Sequence, residues 1–168
     1  MLHALLQKLD PSISFNTASA HCDIPCKIYD PITAQIAALT VIRMCDLIAE
    51  LEAKAPLSIA NQAQLARLVT EKETHASNVK HEIRVIWGDY FKQPQFDQIP
   101  NIHELVHSIM LKASQCKQHI ERQNGIDLLA LVNQFAEAFW TTKGITTYTA
   151  ECPYPPAQSV IYPKLADA

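Results

Sequence analysis

The chain has 168 residues, of which 48% are hydrophobic, and a formal net charge of −3, so it suits one domain with a single core. Its basic residues form no block that could follow a phosphate backbone, and we expect no nucleic-acid partner. The longest apolar runs fall short of the roughly 20 residues that a membrane helix needs, and we expect no membrane partner.

Residues 1–20, MLHALLQKLDPSISFNTASA, are predicted to be a cleavable leader. A secretory signal has a basic start and about 7 to 15 unbroken apolar residues, whereas the short amphipathic segment here stops at Asp10-Pro11. The leader ends in Ala-Ser-Ala, a pattern of small residues that peptidases accept. Because no clear export signal is present, we expect the protein to be cytoplasmic.

The next stretch, HCDIPCKIYDP at residues 21–31, places His21 beside two cysteines four positions apart, Cys22 and Cys26. Two thiolates at this spacing can close on one metal ion if the turn between them is tight, and Pro25 favours such a turn. Thiolates select soft or borderline metals, but zinc would need a fourth side chain that is not local. The stretch is therefore a candidate metal site.

Cleavage after Ala20 would change the donors of this site. His21 would then offer an α-amine as well as its imidazole. The amine, the Cys22 amide nitrogen and the two thiolates would form a planar N₂S₂ set, which suits nickel(II) or copper(II), with the imidazole left as an axial ligand. While the leader is attached, the His21 nitrogen is an amide, so the site cannot form.

The other three of the five cysteines are not predicted to bind metal. Cys45 and Cys116 lie in helical patterns and are expected to be small core residues. Cys152 lies in a proline-rich tail, and the sequence assigns it no role. An odd number of cysteines without a regular framework argues against a secreted domain held by disulfides.

Four helices are predicted after the metal stretch, because apolar residues recur there at helical spacing between cap and breaker residues. Asp30-Pro31 starts the first helix, Ser58 caps the second, and Asn124-Gly125 ends the third. Residues 92–100, which include two prolines, are predicted to be a loop. The predicted helices span residues 31–54, 58–91, 101–123 and 126–143.

The third helix contains His103-Glu104-Leu105-Val106-His107, which fits the HExxH pattern of zinc proteases. Such a protease also needs a third ligand and a cleft beside a sheet, and the sequence predicts no strands. We therefore expect both histidines on the polar side of the helix, with Leu105, Val106 and Ile109 facing the core.

The predicted fold class is all-α, an antiparallel up-and-down four-helix bundle with an N-terminal metal hook and an extended C-terminal tail. Only three glycines occur, as suits an all-helical chain. Residues 1–20 form the leader, 21–143 the hook and bundle, and 144–168 a tail with four prolines. The tail is expected to run along the surface or along a partner subunit.

HCDIPCKIYDP resembles the nickel hook of the nickel-containing superoxide dismutases, whose mature chains begin H-C-D-x-P-C-x-x-Y-D-P after removal of a leader. The likeness extends to WGDYFK at residues 87–92, which matches that family's W-x-D-Y-F-K stretch, and to Phe139-Trp140. It covers about residues 21–143. The resemblance implies a four-helix bundle that assembles into a homohexamer with one nickel ion per subunit.

By this resemblance, His21, Cys22 and Cys26 would be the nickel ligands, and Pro25 would follow a cis peptide bond. Tyr29 and Tyr90 resemble the two tyrosines that line the approach to the metal in the family. The backbone N–H groups of Asp23 and Cys26 would face its open axial side.

Three positions depart from the family's pattern. A glutamate and an arginine typically hold the axial imidazole in the family, and Ala37 and His75 stand in their places. Such partners orient a metal ligand and tune the metal. Lys27 replaces a usual glycine.

The resemblance implies dismutation of superoxide to dioxygen and hydrogen peroxide by Ni(III)/Ni(II) cycling, after a leader peptidase cuts before His21. Protons are expected to arrive by way of water near Tyr29 and Tyr90 or a protonated thiolate. Lys27 and Lys92 would attract the anionic substrate. Two alternatives remain: a non-enzymatic zinc- or copper-binding module that uses Cys22 and Cys26, and an interaction protein whose two cysteines form a regulatory disulfide.

Overall fold

A computed structural model describes residues 27–165 of the chain. In that part the chain forms five α-helices followed by a two-stranded antiparallel hairpin. The helices are α1 Ile32–Glu52, α2 Ile59–Val85, α3 Gln93–Gln98, α4 Ile102–Gln118 and α5 Arg122–Thr142, and the strands are β1 Thr147–Glu151 and β2 Ser159–Pro163.

The four long helices form the predicted bundle. Helix α1 packs beside α2 and α5, and α4 packs beside the same two helices. The core between them contains side chains with no solvent exposure, among them Ile42, Val79, Ile109 and Phe135. Burying a side chain of this size stabilises the fold by about 1.5 to 3 kcal/mol, so the apolar faces hold the bundle together.

Both predicted helix starts are confirmed. The Asp30 carboxylate accepts a hydrogen bond from the Ile32 amide at 2.9 Å, one residue after Pro31. The Ser58 hydroxyl accepts one from the Asn61 amide at 3.2 Å. Each side chain thus satisfies an amide that the first turn of a helix leaves without a backbone partner.

The second predicted helix consists of two parts. Helix α2 is regular to Val85, and residues Ile86–Tyr90 then form a π-helical turn that closes with a bond from the Phe91 amide to the Ile86 carbonyl. A π turn contains more residues than an α turn and is frequent at functional sites. Here it carries Asp89 and Tyr90 at the end of the bundle.

The predicted loop at residues 92–100 contains a helix, α3. Pro94 lies in its first turn, where the missing N–H costs nothing. The Lys92 amide donates to the Gln95 side-chain oxygen at 3.1 Å, which caps the turn, and the Phe96 ring stacks on the Phe91 ring. The two prolines indicated a loop, but only one of them lies inside the helix.

The predicted boundary between the third and fourth long helices is wrong. Helix α4 ends at Gln118, α5 begins at Arg122, and the expected stop at Asn124-Gly125 lies inside α5. A Cβ atom on Gly125 would lie 2.8 Å from the Ile42 side chain. The glycine therefore permits close packing of α5 on α1 and does not end a helix.

A buried lysine of α2 caps the C-terminal end of α4. Lys72 of α2 is 1% exposed, and its ammonium donates to the carbonyls of Cys116, Lys117 and His119. The bonds to Lys117 and His119 measure 3.1 and 2.8 Å. The last carbonyls of a helix have no partner within the helix and carry partial negative charge, so a cation here stabilises the helix end.

Helix α1 is more apolar than we expected from the sequence. Among the described residues it is the one helix with the length and mean hydropathy, 1.6, to cross a membrane. Half of that window is buried in the bundle. A core helix of a bundle meets the same criterion, because it must bury most of its surface.

The segment after Gly144, expected to be an extended tail without strands, forms a hairpin. Strand β1 pairs antiparallel with β2, and Tyr148 lies opposite Tyr162. Val160 and Cys152 are 1% and 2% exposed. Three of the four prolines lie in the turn, where a missing N–H breaks no strand pairing, so the flanking residues are free to pair.

A polar network attaches the hairpin to the bundle. Asn133 of α5 donates to the Ser159 carbonyl at 2.9 Å and accepts from the Ile161 amide at 3.3 Å. Gln35 of α1, which is 2% exposed, donates to the Ile161 carbonyl at 2.8 Å and to the Asn133 side-chain oxygen at 3.0 Å. Two side chains thus satisfy the edge of β2 that faces the bundle.

We expect Asn133→Ala to loosen the hairpin, because it leaves the Ser159 carbonyl and the Ile161 amide without their side-chain partner and removes one of the two acceptors of Gln35. The free energy of unfolding should fall by about 1 to 3 kcal/mol, measured by chemical denaturation. The Ile161 amide should exchange faster with solvent. The matched control is Asn78→Ala, at an exposed position of α2; equal effects of the two changes would contradict the role of Asn133.

Candidate metal centre and its approach

The predicted metal ligands His21, Cys22 and Cys26 lie outside the described residues, as does Asp23. The described chain begins at Lys27, which is peptide-bonded to Cys26. Lys27 is therefore the immediate sequence neighbour of a predicted ligand. The approach to the candidate site can be examined from Lys27 onward.

Lys27 has a backbone φ of 59°, in the left-handed region that favours glycine. For a residue with a side chain this conformation costs about 1 to 2 kcal/mol. The family's usual glycine at this place suits the same backbone. Lys27 therefore keeps a glycine-like turn next to Cys26 while adding a positive charge.

The structure brings the two predicted approach residues together. The rings of Tyr29 and Tyr90 lie 5.9 Å apart between centroids, inclined at 51°. Tyr29 precedes α1, whereas Tyr90 ends the π turn after α2. The packing of these elements at one end of the bundle makes a pair from residues that are far apart in sequence.

A cavity of about 340 Å³ opens beside this pair. It is lined by Lys27, Tyr29, Asp89, Tyr90 and Lys143. Two ammonium groups and one carboxylate leave the lining with one net positive charge. An apolar wall with a positive charge suits the entry of a small anion.

Two lining residues, Asp89 and Lys143, are additional to the predicted site. Asp89 lies inside the WGDYFK stretch, so the motif already contained it. Lys143 is the last residue of the fourth predicted helix. Its position in the sequence does not indicate that its side chain lines the cavity. Its ammonium lies 4.7 Å from the centroid of the Tyr90 ring and 5.0 Å from that of Phe139.

Lys92, expected to attract the substrate, is not among the residues that line the cavity. Its ammonium donates to the Gly88 carbonyl at 2.9 Å. That bond satisfies a backbone oxygen of the π turn. Lys27 and Lys143, not Lys92, supply positive charge to the cavity.

The three cysteines within the described residues are unsuited to bind metal. Cys45, Cys116 and Cys152 are 4%, 2% and 2% exposed. Burial raises the pKa of the Cys116 thiol to about 11 and also raises that of Cys45. Metal binding needs the thiolate, so Cys22 and Cys26 are the two candidates that remain.

We expect a thiol reagent at pH 8 to modify two cysteines of the native metal-free protein and all five in guanidinium chloride. Burial makes three thiols inaccessible in the folded state, and it raises the pKa of two of them, Cys45 and Cys116. Counting the released chromophore measures the number. Cys22→Ser/Cys26→Ser should lower the native count to zero; rapid native modification of Cys45, Cys116 or Cys152 would contradict the assignment.

The HExxH pattern has a packing role. Val106 and Ile109 are buried and Leu105 packs against the core, as predicted, while His103 and His107 are exposed. His103 accepts a hydrogen bond from the Trp87 indole at 3.1 Å, which ties α4 to the π turn. The described residues contain no group of three potential metal-binding side chains.

Ala37 and His75 differ in whether they offer a polar atom. Ala37 is 4% exposed and belongs to the core, so it offers no polar group. The His75 Nδ1 atom is buried and has no hydrogen-bond partner among the described residues, and its Nε2 lies 3.9 Å from the Glu71 carboxylate. A buried polar atom without a partner is costly, so Nδ1 is available to a further donor or acceptor.

Comparison with known proteins finds similarity to one family. The family model described as nickel-containing superoxide dismutase matches residues 16–143. The chain is 34% identical over 127 residues to "Superoxide dismutase [Ni]" of Streptomyces coelicolor, which is 76% of this chain and 91% of that protein. It is 35% identical over 125 residues to the protein of the same name from Streptomyces seoulensis, 74% and 89% of the two chains.

Solved structures agree. The structure described as native nickel superoxide dismutase has a TM-score of 0.65 and 33% sequence identity, over 73% of this chain and 99% of that chain. A nickel-containing superoxide dismutase with ligation corresponding to the oxidised state has a TM-score of 0.64 and 34% identity, over 74% and 99%. The family match ends at Lys143, so the hairpin lies beyond it.

Proposed function

This chain belongs to the nickel-containing superoxide dismutases, and we propose that His21, Cys22 and Cys26 hold its nickel ion after residues 1–20 are removed. Its reaction converts two superoxide anions and two protons into dioxygen and hydrogen peroxide. Nickel supplies, when bound, the one-electron Ni(III)/Ni(II) couple that this reaction needs. The residues of the chain must admit the anion, supply protons and keep the site closed to other chemistry.

The residues fit this metal. Three of the five thiols are buried, so Cys22 and Cys26 remain, and thiolate and amide donors suit nickel(II). The α-amine and imidazole of His21 complete the donor set in the processed chain. The Nδ1 atom of His75, which has no partner among the described residues, is available to a polar group of residues 21–26.

One observation carries the proposal: the cavity of about 340 Å³ that Lys27, Tyr29 and Tyr90 line begins one residue from Cys26. Lys27 and Lys143 attract the anion, and the tyrosine rings limit the width of the approach. The hydroxyl groups of Tyr29 and Tyr90 order water from which protons reach the product. The amides of Asp23 and Cys26 are proposed to face the entering anion.

The direct test uses a chain that begins at His21, loaded with nickel. We expect one nickel ion per chain and rapid superoxide decay, measured by stopped-flow spectroscopy. Cys22→Ser and Cys26→Ser should each abolish both, whereas Cys152→Ser should leave the nickel content unchanged. Zinc or copper binding without superoxide decay would instead support the non-enzymatic metal-binding module.

We propose a homohexamer as the working assembly. An apolar groove of about 500 Å³ between α1 and the hairpin turn supports an interface between copies. Ile36 and Tyr154 on its rim are 48% and 45% exposed, and exposed apolar side chains around a groove are typical of an interface. Light scattering should give six times the chain mass.

A separate leader peptidase and a cytoplasmic location without membrane partners complete the proposal.

A further inference from the structure

The dipeptide Thr142-Lys143, at the C-terminal end of α5, contacts the hydroxyl group and the ring face of Tyr90. The Tyr90 hydroxyl lies 2.8 Å from the Thr142 hydroxyl. The Lys143 ammonium lies over the Tyr90 ring at 4.7 Å from its centroid. The Phe139 ring, at 4.8 Å, closes a third side of Tyr90.

The hydrogen bonds of Thr142 determine which hydroxyl donates. Its Oγ1 lies 2.7 Å from the Phe139 carbonyl, which can only accept, so the single Thr142 proton goes there. The bond between Tyr90 and Thr142 must then use the Tyr90 proton. The Tyr90 oxygen can therefore only accept a hydrogen bond from any further group, such as water or a protonated product.

Lys143 supplies the positive charge for an anion that Tyr90 cannot supply. An anion needs a donor or a positive charge, and a tyrosine whose proton is committed offers neither. Lys143 is exposed and lines the same cavity as Tyr90. Contact with two aromatic faces keeps its ammonium at the cavity, where an unattached lysine would spread over many rotamers.

We propose that Thr142 and Lys143 are positioning residues of the site: Thr142 makes Tyr90 a hydrogen-bond acceptor, and Lys143 holds the Tyr90 ring and provides the charge that attracts superoxide. This inference rests on the proposed function for its consequence in the reaction. The contacts themselves can be tested without metal.

The first experiment measures the stability of the metal-free protein in a double-mutant cycle. Thr142→Val should raise the unfolding equilibrium constant about fivefold more when Tyr90 is present than in a Tyr90→Phe background, the effect of one hydrogen bond. In the Tyr90→Phe background only the bond to the Phe139 carbonyl is lost, and Thr142→Ser should behave as the wild type. The control is Thr141→Val, because the Thr141 hydroxyl also donates to a carbonyl of its own helix, that of Glu137, but has no bond to Tyr90.

The second experiment measures kcat/KM for superoxide in the nickel-loaded protein. Thr142→Val should lower it about fivefold, and Thr142→Ser should restore it. Lys143→Gln should lower it severalfold at low salt, and the difference should shrink at 0.5 M salt because salt screens the attraction. Lys143→Arg should stay close to the wild type, and Lys117→Gln, which removes one distant charge, should change little.

Several results would overturn the inference. Thr142→Val could act equally with and without the Tyr90 hydroxyl, or Thr141→Val could match it. Lys143→Gln could equal Lys117→Gln at every salt concentration. A loaded wild type that consumes no superoxide refutes the proposed function instead, and the metal-free cycle still tests the contact between Thr142 and Tyr90.

Discussion

A chain that keeps Ala20 in front of His21 should lose superoxide dismutase activity by about a thousandfold or more relative to the chain that begins at His21. Losses of this order follow when a group central to a reaction is removed. The single extra residue converts the His21 α-amine into an amide, which is no longer a basic donor. Superoxide decay measures the activity, and elemental analysis measures nickel retention.

A matched variant separates the amine from the imidazole. His21→Ala in the shortened chain keeps a free α-amine and both thiolates, so it should retain more nickel than the chain that keeps Ala20. Removal of Ala20 from the extended chain by an aminopeptidase should restore activity. Full activity with Ala20 still attached would refute the proposed ligand set.

Lys72→Met should lower the free energy of unfolding by about 3 kcal/mol, the largest loss of stability we expect from one substitution here. Methionine has a similar length but cannot donate, so three carbonyls at the end of α4 lose a buried charged partner. For a chain of this size the melting temperature should fall by roughly 6 to 12 °C. Calorimetry and chemical denaturation both measure the effect.

The control for this change is Lys54→Met, at an exposed position after α1, which should cost less than about 0.5 kcal/mol. Faster amide exchange in the last turn of α4 should accompany Lys72→Met. A loss below about 1 kcal/mol, or unchanged exchange at that turn, would show that water replaces the ammonium. Metal-free protein suffices, so the result is independent of the hook.

The bundle was predictable from the sequence because helix starts and apolar stripes are local signals. Asp30 and Ser58 cap the helices that they were expected to cap, and Cys45 and Cys116 are core residues. The end of α4 was not predictable in this way. It depends on Lys72, more than 40 residues away, and the Asn-Gly pair that resembled a stop is a packing site against Ile42.

The hairpin was missed for a related reason. Its five-residue strands are short and flank a proline-rich turn, so composition alone resembled an extended tail. What stabilises it is the side-chain network of Gln35 and Asn133, which comes from two helices remote in sequence. A strand this short is marginal without such support.

The sequence by itself determined the family, the metal and the residues proposed to bind it, because a hook made of neighbouring donors is a local feature of the chain. Only the tertiary structure decided how that hook is approached. Tyr29 precedes α1, Tyr90 ends the π turn after α2, and Lys143 follows α5, so their distances depend on how these three helices pack. Long-range packing also buries the three other thiols, which leaves Cys22 and Cys26 as the proposed metal-binding pair.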